Sequence, residues 1–64
     1  MENNMKTYKV VITAEGYETL ETIVEAENKE KARKNRKILK DWCSLNNVEP
    51  STSKLAFVRV YGLE

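Results

Sequence analysis

The sequence predicts an α+β domain built in the order ββαβ, and three observations carry that expectation. Two short segments rich in β-branched residues sit either side of a glycine turn. A long run without Gly or Pro follows, with apolar residues at helical spacing. A third apolar segment, after a proline, closes the chain.

Residues 1–5 are polar and aperiodic and read as a disordered leader, leaving 6–64 as a single domain. Thr7-Tyr8-Lys9-Val10-Val11-Ile12-Thr13-Ala14 is rich in β-formers and reads as the first strand. Glu15-Gly16-Tyr17-Glu18 supplies a turn, with Gly16 free to take a positive φ. Thr19 to Ala26 reads as the second strand. Its Glu21, Ile23 and Glu25 alternate with Leu20, Thr22, Val24 and Ala26, the period-two mark of one buried face.

Asn28 stands where a helix N-cap belongs, and Glu30 complements the positive helix end. The helix is expected from Lys29 to about Leu45, because helix formers predominate there. At about 100° per residue, Ala32, Ile38, Leu39, Trp42, Cys43 and Leu45 share one arc. Lys31 sits at the edge of that arc, where its stem can snorkel. Asn46-Asn47 is a helix stop, since Asn tolerates the left-handed conformation. Val48 to Ser53 reads as a loop broken by Pro50, and Lys54 to Tyr61 as the third strand.

The hairpin makes the first two strands antiparallel, and a right-handed crossover returns the third strand parallel to the second. The third strand then lies beside the first. The expectation is a three-stranded antiparallel sheet of order 2-1-3 with one amphipathic helix on one face. Val10, Ile12, Val24, Ala32, Leu39 and Trp42 should form its core.

Composition narrows the chemistry. At 64 residues the chain has room for one small core, and 41% hydrophobic and 33% charged residues fit a small domain in water. No apolar run approaches the roughly 20 residues that span a bilayer, and a secretory pattern is missing, so the cytoplasm is the expected compartment. The sequence has no histidine and one cysteine, Cys43. That removes His-based triads, Cys-His pairs and thiolate clusters for zinc or iron–sulfur. Two glycines cannot build a phosphate-cradling loop of the usual pattern. No enzymatic activity, metal, cofactor or small-molecule substrate is expected, and Cys43 reads as core filler.

Charge is strongly segregated. From Glu15 to Glu27 there are five glutamates and no base, whereas Lys29 to Asp41 holds seven bases against two acids. The two segments carry −5 and +5 beneath a formal net charge of +1. Lys29, Arg33, Arg36, Lys37 and Lys40 share an arc nearly opposite the apolar one. Such a stripe can contact phosphates or an acidic partner, including the hairpin of a second copy. The plainer alternative is a solvated face. Base readout would need polar groups on the stripe, and only Ser44 lies within it.

The third strand is apolar on both sides: Leu55, Phe57 and Tyr61 share one face, and Ala56, Val58 and Val60 the other. One helix covers one face of a sheet, so Val11 and Ile23 should join Phe57 or Val58 in an uncovered patch. Patches of that kind mark interfaces. Lys54 and Arg59 alone guard the third strand, so homodimerisation through its edge or the sheet face is expected. The rival expectation is that the leader or the tail after Tyr61 folds over that edge.

Tyr8-x-Val10-x-Ile12, followed by Val24-Glu25-Ala26-Glu27-Asn28-Lys29-Glu30-Lys31-Ala32, resembles small DpnD/PcfM-like proteins of phages, prophages and plasmids. The resemblance covers residues 7–32 and implies a mobile-element origin without assigning any functional residue. The expected role is a small non-enzymatic protein-binding or self-associating module. The alternative is nucleic-acid binding through the basic face of residues 29–40.

Overall fold

Alternating burial sets the sheet. In the computed structural model, which describes residues 5–63, β1 (Lys6–Thr13) buries Tyr8, Val10 and Ile12 and turns Lys9, Val11 and Thr13 the other way. β2 (Leu20–Ala26) and β3 (Phe57–Gly62) alternate in the same sense. β1 pairs antiparallel with both, so the order is β2-β1-β3 and the strand buried most completely is central. This is the expected α+β architecture, a three-stranded antiparallel sheet covered on one face by a helix. Residues 1–4 of the expected leader, and Glu64, lie outside the described residues.

The β1–β2 connection begins with a type II turn. Tyr17 N–H donates to the Ala14 carbonyl at 3.0 Å, and Gly16 takes φ +86° at the position that needs a left-handed residue. The rest of the connection is held from above. Trp42 Nε1 donates to the Glu18 carbonyl at 2.9 Å, and Asn46 Nδ2 donates to the same oxygen at 3.2 Å. Glu18 N–H in turn donates to Asn46 Oδ1. The Asn46 amide thus matches both backbone groups of Glu18 and ties the hairpin tip to the helix.

The expected helix is present but bent into α1 (Lys29–Arg33) and α2 (Arg36–Asn46). The bend is at Asn35, whose ψ of 104° is extended. Asn is unremarkable inside a helix and among the best N-caps, because its side chain competes for nearby backbone N–H groups. Asn28 Oδ1 accepts from Lys31 N–H at 2.9 Å, and Asn35 Oδ1 accepts from Lys37 N–H at 3.0 Å. Each segment therefore starts on its own cap. The end matches expectation: Asn47 is left-handed with φ 56°, and Val48 N–H reaches the Cys43 carbonyl at 3.0 Å, as in a Schellman motif.

A second difference follows Pro50. Pro50–Leu55 is a 3₁₀ helix capped by Ala56, so Lys54, Leu55 and Ala56 precede β3 instead of opening it. Pro50 has a φ suited to a first helical turn, and Ser, Thr and Ser continue it with short i→i+3 bonds, one from Thr52 N–H to the Glu49 carbonyl at 2.9 Å.

Trp42, Val10, Ile12 and Ala32 are buried, with Ile38, Cys43 and Tyr8 beside them. Val24 and Leu39, also expected in the core, pack on it while partly exposed. Leu45, expected on the buried arc, is 48% exposed, because α2 turns that flank away from the sheet. Among the described residues no helix is long and apolar enough to cross a membrane.

Candidate interaction surfaces

Register places the outer face of the sheet row by row. Ile23 on β2 lies opposite Lys9, which lies opposite Tyr61 on β3. One row on, Glu21, Val11 and Arg59 are aligned, and Thr13 faces Phe57 beyond them. All of these side chains point away from the helix. Phe57 is 70% exposed, Ile23 57% and Tyr61 46%, with Val11 half-buried between them. Lys9 Nζ leans toward Glu21 at 3.1 Å, so the one cation at the middle of the face is drawn to its β2 side.

Of the expected self-association residues, the sheet brings together Val11, Ile23, Phe57 and Tyr61. Leu55 is exposed but sits on the 3₁₀ helix, off the strand. Leu63 takes up the parity instead. Its N–H donates to the Thr7 carbonyl at 3.1 Å, so the chain after Tyr61 continues β3 along β1 and does not fold back over the open edge. The tail as a cover for that edge is thus corrected up to Leu63. The parity of Phe57, Arg59 and Tyr61, carried one step further, was the signal that would have found it.

The basic arc is divided by the bend. Lys29 and Arg33 belong to α1, whereas Arg36, Lys37 and Lys40 belong to α2, and the even advance of about 100° per residue stops at Asn35. One straight stripe is therefore not formed. All five cations are exposed, and among the described residues none makes an ion pair. Lys31 and Lys34 do pair, with Glu27 and Glu30, at i,i+4 spacing. The Lys31 hydrogen bond and charge hold the Glu27 carboxyl below the usual glutamate value. Arg36 and Lys40 flank a cleft between α2 and the 3₁₀ helix, floored by Leu39, Cys43 and Pro50.

Cys43 is buried, with its thiol 4.0 Å from the Pro50 carbonyl. Among the described residues no three Cys, Asp or Glu side chains gather as metal ligands would. No protein-family model, curated protein or solved structure matches this chain.

Proposed function

We propose that this chain is a small, non-enzymatic protein-binding or self-associating module that meets its partner through the outer face of its sheet. The observation that supports this reading most is the exposure of Phe57, Ile23 and Tyr61 on one face around Val11. Large aromatic and aliphatic side chains left in water together mark contact surfaces, and aromatics are enriched in their buried centres. The absence of histidine and the burial of the single thiol favour binding over catalysis. A free thiol suits the reducing cytoplasm, and the likeness of residues 7–32 to DpnD/PcfM-like proteins favours a mobile-element origin.

Immobilised wild-type chain is compared with an Ile23→Lys/Phe57→Ser variant for retention of free chain and of proteins from the source cell. Both residues are exposed, so the variant keeps the wild-type circular dichroism. Retention that depends on the two side chains is expected. Equal retention by both surfaces would remove the outer face as the contact site.

A second reading, nucleic-acid binding, is favoured by one observation: Lys29, Arg33, Arg36, Lys37 and Lys40 make no ion pair among the described residues, while Lys31 and Lys34 beside them are paired. The acidic hairpin and a net charge of +1 weigh against it. Anisotropy titration at two salt concentrations separates the readings, since phosphate contacts weaken steeply with salt. Tight, salt-sensitive binding that is lost in Arg33→Glu/Lys37→Glu would put this reading first.

A further inference from the structure

Charge on the outer face is distributed by strand. On that face β2 carries Glu21 and Glu25, β1 carries Lys9, and β3 carries Arg59. Glu21 and Arg59 stand in one row, on either side of Val11. The acidic and basic edges of the face are thus level with each other, with an apolar residue at the midpoint.

We infer that the partner of this face is a second copy of the same chain, related by a two-fold axis that runs along β1. The inference rests on the outer face being the contact surface, and the charge pattern selects both partner and axis. An axis along β1 sets β2 of one copy over β3 of the other. Glu21 then meets the second copy's Arg59, and Arg59 the second copy's Glu21. Val11 meets Val11 at the axis, and Ile23 meets the second copy's Tyr61. An axis across the strands instead sets β2 over β2, bringing Glu21 and Glu25 against the same acids of the second copy. Like charges facing one another discriminate strongly against that arrangement.

Lys9 is the group that should resist, because the axis places the two copies near each other. Its bond to Glu21 at 3.1 Å deflects it toward β2. The two-fold sends the second copy's lysine the opposite way. The cations part and leave their stems over the apolar centre. Aligned sheets pack about 10 Å apart with strands within about 30° of each other, which an axis along β1 permits.

The face is small. Three strands at about 4.8 Å spacing, each about 22 Å long, offer roughly 300 Å² before side-chain relief. That is well under the about 800 Å² per partner of a standard interface. Interfaces of this size belong to the weak, transient class, so the dimer is expected to populate only at high protein concentration.

Sedimentation equilibrium from about 20 µM to about 1 mM tests this on the full chain. The variants are Glu21→Arg, Arg59→Glu and the two combined; both sites are exposed, and circular dichroism checks the fold. The wild type is expected to dimerise, each single variant to weaken the dimer about tenfold or more, and the combination to recover to within about threefold of wild type. A dimer indifferent to both charges but lost in Phe57→Ser would overturn the axis and leave the face as the contact surface. A monomer at about 1 mM would overturn the second copy as partner. The reading of the face would then stand or fall on capture of another protein.

Discussion

Replacing Trp42 by alanine is expected to leave the chain without a cooperative unfolding transition at 25 °C. The indole is fully buried beneath the hairpin, and truncating such a side chain costs about 3–5 kcal/mol in transfer and cavity terms. Two further contacts go with it. One is the Nε1 bond to the Glu18 carbonyl; the other is the tilted stack on Tyr17, with ring centroids 5.5 Å apart. At about 0.05–0.15 kcal/mol per residue, a domain of 64 residues has roughly 3–10 kcal/mol in all. The loss is comparable to the whole. Trp42→Phe keeps most of the packing and removes the donor, so it should lower stability by about 1–2 kcal/mol and stay folded. Urea unfolding followed by far-ultraviolet circular dichroism reads both variants. A Trp42→Ala midpoint above half that of wild type would contradict the placement of this side chain as the keystone between hairpin and helix.

The sheet was legible because period-two alternation and one glycine specify it locally. Val10 and Ile12 against Val24, with Gly16 between the strands, leave little choice of pairing or of face. The crossover rule then fixes where β3 must go. The bend was not legible from periodicity, because apolar spacing continues through Asn35 as though the helix were straight. The information was in the residue type: Asn35 stands to Lys37 much as Asn28 stands to Lys31, a second cap inside the run. The start of β3 differs from the expected one for a related reason, which Leu55 illustrates. Its apolar character fits a strand, but Pro50 had already begun a helical turn, and the last two residues of that turn look like the first two of the strand.

The clamp on Glu18 was invisible for a different reason. Trp42 and Asn46 are one turn apart on α2 and more than twenty residues from their partner, so no local pattern announces it. A buried tryptophan must still place its N–H, and an Asn one turn later is well set to share the same backbone target. For the interaction surface, four of the five side chains expected on the sheet face are there. The bend splits the basic arc that read as continuous, which shifts weight from the helix to the sheet.

Ala32→Asp is expected to destabilise the fold by several kcal/mol at neutral pH and by much less in acid. Ala32 is 1% exposed and is the buried residue of α1, which packs across all three strands. The core beneath it is built of hydrophobic residues, and among the described residues no charged side chain is buried. A carboxylate there has no partner, and an unpaired buried charge costs about 3–5 kcal/mol. Burial raises its pKa above the unfolded value of about 3.9. The folded state therefore holds the proton where the unfolded state has released it, and stability falls as pH rises through that window. Ala32→Asn has nearly the same shape and no charge, so it carries the cost of size and polarity alone. The difference between the two variants isolates ionisation and cancels the contribution of Glu27, which both share. Urea midpoints at about pH 3.5 and pH 7 give that difference; it should be small in acid and grow toward neutrality. A difference that stayed flat across this range would mean that the carboxylate reaches water, and that α1 does not lie on the sheet as closely as a buried alanine requires.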